Sequence, residues 1–153
     1  MADCNARQQG DRARSLSIET LSVSVQPQKD GAKVTDALAG APIAGLVVFA
    51  DGFMTTHRAT LIARAIEKNI PVVAGLPPSF ARSGGLLTYA ADPLDIYRRS
   101  ATYADRILRG EKPADLPVQY PVKFTMVLNM RTAKALGVAV PPSVLLRTDE
   151  VIE

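Results

Sequence analysis

The side chains best suited to recognising a small molecule fall at or just after the ends of predicted strands, and they comprise one carboxylate and three aromatic rings. They are Asp51, Phe53, Phe80 and Tyr89. A carboxylate accepts hydrogen bonds from an amine or a hydroxyl, while aromatic rings supply the apolar walls typical of ligand pockets. Each residue alone is more often a packing residue, so the prediction of a small-molecule site depends on their convergence at one rim.

The sequence offers few of the residues that catalysis or metal binding would need. His57 is the only histidine and Cys4 the only cysteine, so the chain cannot assemble the ligand sets of zinc sites or an internal disulfide. His57 also lies in the first turn of a predicted helix, with no candidate nucleophile beside it. The Ser-Gly-Gly turn at 83–85 lacks the lysine and the spacing of phosphate-binding loops. We predict a protein that is not an enzyme and that carries no metal and no cofactor.

Length and composition indicate a single globular domain. The chain has 153 residues, of which 47% are hydrophobic and 22% are charged, ordinary values for a folded protein. The net charge of +3 is spread without a block of like charge, which argues against nucleic-acid binding. The longest uncharged stretch, Ala37 to Ala50, is shorter than the roughly 18 residues that cross a bilayer. We therefore predict no direct membrane insertion.

The amino terminus, Met1 to Cys4, has neither the basic segment nor the apolar segment of a signal peptide. As written, the chain is therefore expected to be cytoplasmic.

Strand patterns and helix patterns alternate along the chain, which predicts an α/β fold with a Rossmann-like parallel sheet and helices on both faces. The helix with the plainest signals has Asp92 as its cap, Pro93 as its first residue and Gly110 at its end. The predicted strands are Leu21 to Val25, Ile43 to Ala50, Val72 to Gly75, Leu86 to Tyr89 and Val122 to Leu128. Further helices are predicted over Asn5 to Leu16, Asp30 to Leu38, Thr55 to Asn69 and Asn129 to Gly137.

Ligands of open α/β sheets bind outside the carboxyl ends of the strands. Three segments occupy that position in the predicted sheet: Asp51 to Met54, Leu76 to Phe80 and Tyr89 to Ala91. They contain the carboxylate and the three rings named above, so the architecture places the candidate site at this edge.

Several segments resemble those of a known family. They are Gly110-Glu111-Lys112-Pro113-Ala114-Asp115-Leu116-Pro117-Val118-Gln119, Thr132-Ala133-Lys134-Ala135-Leu136-Gly137, Pro141-Pro142, Asp149-Glu150-Val151-Ile152 and Gly84-Gly85-Leu86-Leu87-Thr88-Tyr89. Together they resemble the ABC-transporter substrate-binding proteins, of the tryptophan/tyrosine-binding and uncharacterised type. The order of elements is similar from about Leu16 to Glu153.

The resemblance implies a periplasmic or lipid-anchored binding protein of the type I periplasmic-binding-protein fold, in which two lobes close on a ligand and deliver it to a permease. Such proteins are about twice as long as this chain. Residues 1–153 are expected to form a single α/β lobe, the second lobe plus the C-terminal crossover, with the N-terminal lobe absent. Among the site residues, the resemblance supports Asp51, Phe53 and Tyr89 as ligand contacts.

Two functions follow. The first is a solute-binding component, or fragment, of an ABC-type importer that binds a small organic ligand such as an amino acid, with the permease as partner in the full-length context. The alternative is a cytoplasmic ligand-sensing regulatory domain of the same fold type. Apolar surface from Phe53, Phe80 and the segment Val138 to Leu146 further predicts a homodimer, and a half-site predicts weak ligand binding.

Overall fold

The computed structural model describes residues 13–21 and 45–153, and the chain divides into two compact units, residues 1–41 and residues 42–153. In the first unit, residues 13–15 are helical and Ser17 adopts a positive φ of 58°. The predicted helix Asp30 to Leu38, most of the predicted helix Asn5 to Leu16 and the predicted strand Leu21 to Val25 after its first residue lie outside the described residues. The single-lobe organisation over 1–153 stays a prediction.

Within the described part of the second unit, five strands form one sheet in the order β1-β2-β3-β4-β5. The strands are β1 (Leu46–Val48), β2 (Val72–Ala74), β3 (Leu87–Ala91), β4 (Phe124–Asn129) and β5 (Glu150–Ile152). The first three are mutually parallel, β4 is antiparallel to β3, and β5 is parallel to β4. The predicted α/β class with a Rossmann-like sheet is confirmed.

The antiparallel pairing of β3 with β4 departs from the predicted all-parallel arrangement. The chain leaves the sheet after Ala91 and returns at the same end, where the Asp92 N–H donates to the Lys123 carbonyl at 2.9 Å. A parallel crossover must return to the opposite end. Since the chain leaves β3 and enters β4 at the same end of the sheet, β4 is antiparallel to β3.

The described helices of this unit are α1 (Gly52–Thr56), α2 (Arg58–Glu67), α3 (Ser79–Arg82), α4 (Pro93–Leu108), α5 (Met130–Ala135) and α6 (Pro142–Leu145), with a 3-10 turn at Pro113–Asp115. Four of them fall in predicted helical segments, whereas α3 lies in a predicted loop and α6 in a C-terminal tail for which no helix was predicted. The predicted helix Thr55 to Asn69 is two helices, because Asp51 caps a first helix that ends at His57. Asn69, with φ 54°, then ends α2.

The core lies on the face of the sheet that α2 and α3 cover. Register partners across four strands are all buried there: Val48, Ala74, Thr88 and Val127. From the helices, Leu61, Ile62 and Ala65 of α2 are buried, and so is Phe80 of α3. The Thr88 Oγ1 hydroxyl in this core has no hydrogen-bond partner among the described residues.

The C-terminal segment covers its own apolar surface. Leu86, Leu128 and Ala133 form a buried cluster, against which Val138, Val140 and Leu145 pack. Of the apolar patch expected from Phe53, Phe80 and the segment Val138 to Leu146, Phe80 is buried, Phe53 is half-buried and Leu146 is exposed. The homodimer stays a prediction.

The helix α4 begins and ends as predicted, with Asp92 as its cap and Gly110 in a positive-φ conformation of 97° after its end. None of the sixteen residues of the helix is buried, and its apolar residues at helical spacing are all exposed: Leu94, Tyr97, Ala101, Ala104 and Leu108. Within residues 13–21 and 45–153, no helix is long and apolar enough to cross a membrane.

Candidate functional site

The carboxyl ends of β1, β2 and β3 meet at one edge of the sheet. Val48 of β1 is the register partner of Ala74, which in turn pairs with Thr88. The residues that follow Val48 and Ala74 therefore leave the sheet side by side, whereas β3 continues to Ala91. The N–H of Gly75 donates to the Val48 carbonyl at 2.9 Å, which holds the first two segments together.

Asp51 lies just beyond β1 and is exposed to solvent. Its Oδ1 accepts a hydrogen bond from the Met54 N–H at 2.6 Å, so the side chain caps α1. Its Oδ2 accepts no hydrogen bond from any described residue. One carboxylate oxygen is thus committed to the fold, and the other is available to an amine or a hydroxyl.

Phe53 lies in the first turn of α1, and its ring packs on His57 with the ring centroids 4.3 Å apart and the planes tilted by 43°. Phe53 is half-buried, so part of it is accessible to solvent, and it follows Asp51 by two residues in the sequence. His57 acts here as a packing partner of an aromatic ring, at the junction between α1 and α2.

Tyr89 forms a stacked pair with Phe124 of the neighbouring strand. The ring centroids are 5.3 Å apart and the planes differ by 15°, within the range of offset aromatic stacking. Tyr89 is 51% exposed and Phe124 is 43% exposed. We call these two residues the aromatic pair; it presents a flat apolar surface on the strand that continues toward the carboxyl edge.

Phe124 was not among the residues predicted from sequence. It lies within the predicted strand Val122 to Leu128, but its approach to Tyr89 depends on the antiparallel register in which Tyr89 faces Met126 and Ala91 faces Phe124. An all-parallel sheet would not bring the two rings together. The signal available in the sequence was only an aromatic residue at the start of a strand.

Phe80 does not belong with the other site residues. It is 1% exposed and packs in the core, with its ring directly beside Gly85. Phe80 was predicted to line the site, and this prediction is wrong because a ring with almost no accessible surface cannot contact a ligand. Asp51 and Phe53 follow β1, whereas Tyr89 lies within β3. Their convergence on one ligand stays a prediction, from which the burial of Phe80 removes that residue.

An ion pair joins Asp92 and Lys123, at the point where the chain leaves the sheet after β3 and re-enters it before β4. We call these two residues the neck. Lys123 Nζ lies 2.6 Å from Oδ2 of Asp92, whose Oδ1 accepts from the N–H groups of Leu94 and Asp95. The hydrogen bond from Lys123 lowers the pKa of Asp92 against the opposing effect of desolvation. The same hydrogen bond raises the pKa of Lys123. Both groups are therefore charged at neutral pH and act as a fixed structural pair.

Other charged groups near the sheet are also paired in structural roles. Arg82 binds both oxygens of Glu150, at 3.1 and 2.7 Å, and thereby ties α3 to β5. That pairing raises the pKa of Arg82 and lowers the pKa of Glu150. In the part of the chain that the structure describes, no group of three or more His, Cys, Asp or Glu side chains is arranged to hold a metal ion.

The fold is an α/β domain in which a free carboxylate oxygen and an exposed aromatic pair lie at or beyond the carboxyl ends of parallel strands. The chain belongs to the ABC transporter substrate binding protein family, whose model matches residues 6–152. This is a family of binding proteins. A search of curated proteins gives no match.

Solved structures share the fold. The chain is similar to an ABC domain from Streptococcus pneumoniae in complex with L-Trp (TM-score 0.88, 20% identity, 99% of this chain and 50% of that chain). It is also similar to a conserved domain protein from Vibrio cholerae (0.85, 22%, 98% and 50%). A ligand-free, open substrate-binding protein with adhesive properties from Clostridium difficile matches at 0.65, 20%, 99% and 50%. The chain thus spans about half the length of each of these structures.

Proposed function

We propose that this chain is a solute-binding component of an ABC-type importer, and that it binds a small organic molecule such as an amino acid at the carboxyl edge of β1 to β3. The family match over residues 6–152 carries the proposal. The L-Trp complex of the Streptococcus pneumoniae domain supports an amino acid as ligand.

The described side chains offer an amino acid two kinds of contact. The free Oδ2 of Asp51 accepts hydrogen bonds from an ammonium group, and a bond to an ionised acceptor is about twice as strong as a neutral one. Tyr89 provides an exposed ring face for an apolar or aromatic side chain, and Phe124 supports that ring from one side. Phe53 adds a second apolar surface beside Asp51.

The proposal assigns no catalytic residue. The partners are the small-molecule ligand and, in the full-length context, an ABC permease, with the periplasm as the location of the full-length family member. Neighbouring genes separate this role from the alternative of a ligand-sensing regulatory domain. A permease gene and an ATPase gene alongside support import, whereas a regulated operon with neither supports sensing.

The direct test is a titration of the isotope-labelled chain with each of the twenty amino acids, in which NMR chemical-shift changes report binding. Because binding sites usually enclose most of a ligand and this chain spans half of the matched structures, we expect a Kd in the millimolar range, about −4 kcal/mol. The shifts should concentrate at Asp51, Phe53, Tyr89 and Phe124. The absence of shifts at about 10 mM of every amino acid, or shifts confined to another surface, would reject the proposal.

Asp51→Asn is the matched variant for this titration. Asparagine caps a helix as well as aspartate does, so α1 and the Tm should be unchanged while the negative charge is lost. We expect binding of the amino acid to weaken about tenfold, since a charge-assisted hydrogen bond to the ammonium group becomes a neutral one. Equal affinity of the two proteins would show that Asp51 is not a ligand contact.

A further inference from the structure

Phe49 and Tyr89 are two exposed aromatic residues on the same face of the sheet. The register pairs Val48 with Ala74 and Ala74 with Thr88, and all three are buried on the face that α2 and α3 cover. Successive side chains of a strand point to opposite faces, so the residues that follow Val48 and Thr88 point to the other face. Phe49 is 56% exposed and Tyr89 is 51% exposed, as this alternation requires.

Gly75 lies between these two residues. It follows β2, the middle strand of the three, and its N–H donates to the Val48 carbonyl at 2.9 Å, so the two chains are still side by side at this point. Among the described residues, its chain neighbours apart, a Cβ atom on Gly75 would have only that carbonyl oxygen within 4 Å, at 3.9 Å. The space above Gly75 is therefore open on the face where Phe49 and Tyr89 project. We call Phe49, Gly75 and Tyr89 the aromatic slot.

The spacing of the strands sets the width of the aromatic slot. Neighbouring strands lie about 4.8 Å apart, so the chains that bear Phe49 and Tyr89, with β2 between them, lie about 9.6 Å apart. Stacked aromatic rings have centroids about 4.5–7 Å apart. One planar ring between Phe49 and Tyr89 needs two such distances, at least about 9 Å. The slot provides this width only because Gly75 has no side chain.

Phe124 fixes the orientation of the Tyr89 ring. The two rings are stacked, with centroids 5.3 Å apart and planes that differ by 15°. Phe124 belongs to β4, which lies on the side of β3 away from β2. It therefore covers the face of the Tyr89 ring that is turned toward β4, and the other face is turned toward Gly75. A stacking surface that points into the slot is thus held in place before any ligand binds.

We propose that the aromatic slot accepts one planar ring of the ligand, so that Phe49 and Gly75 determine specificity for ring-bearing over aliphatic small molecules. The three residues carry no charge, so the slot recognises the flat shape and apolar character of the ring. Neither Phe49 nor Gly75 was predicted as a site residue, because their alignment with Tyr89 depends on the register of three strands. The inference rests on the proposed function for the location of the ligand, but its test needs no amino acid.

Phenol and cyclohexanol are matched probes of the slot, since both are neutral six-carbon alcohols and only phenol is planar. An NMR titration of the isotope-labelled 153-residue chain gives both dissociation constants. We expect phenol to bind with a Kd in the millimolar range and about tenfold more tightly than cyclohexanol, because stacking on two rings adds to apolar burial. The amide shifts should concentrate at Phe49, Gly75 and Tyr89. Equal affinities, shifts confined to another surface, or no shifts at about 50 mM phenol would overturn the proposal.

Gly75→Ala places a methyl group on the floor of the slot without straining the fold. The added carbon makes an ordinary contact at 3.9 Å, so the Tm should not fall. We expect the affinity for phenol to fall about tenfold, since one carbon more or less in an apolar pocket changes affinity by about that factor.

Gly45→Ala is the matched control for this variant. It makes the same substitution at the other end of β1, where the new methyl group also makes only ordinary contacts, at 3.6 and 3.7 Å. Phenol binding should be unchanged. If Gly75→Ala weakens phenol binding no more than Gly45→Ala does, the proposal is wrong.

Phe49→Leu removes one stacking surface and keeps most of the apolar volume. The preference for phenol over cyclohexanol should fall from about tenfold to about threefold, and an unchanged preference would overturn the proposal. Phenol has no ammonium group, so its binding does not depend on the contact proposed for Asp51. Failure of the amino acid titration therefore leaves these readouts intact, and failure of phenol to bind leaves the test of Asp51 intact. The two proposals can fail separately.

Discussion

Replacing Gly85 with alanine tests whether Phe80 is a rigid core residue. A methyl group on Gly85 would lie 2.3 Å from Cε1 of the Phe80 ring and 2.4 Å from Cδ1, whereas carbon atoms in contact are about 3.5–4.0 Å apart. The ring would have to move by more than about 1 Å within a close-packed interior. Overpacking of this kind costs about 1–3 kcal/mol, and we expect the free energy of unfolding to fall by about 3 kcal/mol.

Urea unfolding followed by circular dichroism measures this change, with the m-value as a check on two-state behaviour. Gly52→Ala is the matched control, because a methyl group there meets no atom within 4 Å. It should leave stability unchanged or raise it by up to about 1 kcal/mol. Phe80→Ala removes both of these ring atoms and should reduce the cost of Gly85→Ala to below about 1 kcal/mol. A cost under about 0.5 kcal/mol, or an equal cost in both backgrounds, would refute the reasoning.

Two further predictions concern the core and the neck. Thr88→Val removes a buried hydroxyl that lacks a partner and keeps the shape of the side chain, so we expect thermal unfolding to show a gain of about 1 kcal/mol; a loss would reveal a partner for the hydroxyl. Lys123→Met should lower the Tm at neutral pH. The pKa of Asp92 falls below its ordinary 3.8 and that of Lys123 rises above its ordinary 10.5, so the stabilisation is complete between these values. It disappears as pH falls through the lowered pKa or rises through the raised one, and a pH-independent difference in Tm would contradict this.

Local signals in the sequence predicted the parts of the fold that depend on a few neighbouring residues. Asp92 followed by Pro93 marked the start of α4, and the structure shows that cap with its hydrogen bonds to Leu94 and Asp95. Asn129 likewise caps α5 and accepts from the Thr132 N–H at 3.1 Å. Cap chemistry is encoded within three or four residues, so it can be read without knowledge of the rest of the molecule.

Signals that depend on the tertiary arrangement were not available. Phe80 and Tyr89 are both aromatic residues near strand ends, yet one is buried against Gly85 and the other is half exposed. The stacking of Tyr89 on Phe124 requires a register between strands separated by more than thirty residues. The apolar residues of α4 recur at helical spacing, but periodicity contains no information about which element, if any, covers that side of the helix.

The short distance between Asp92 and Lys123 makes residues 93–122 a thirty-residue excursion from what is otherwise a β-hairpin. Closing a loop of that length instead of one of four residues costs about 2 kcal/mol of chain entropy, and the excursion can be exchanged without moving any strand of the sheet. Replacing it with a four-residue turn would yield a chain of 127 residues in which β3 and β4 are joined directly. Residues 93–122 therefore form an exchangeable insertion between Asp92 and Lys123, and another segment can replace them while β3 and β4 are retained.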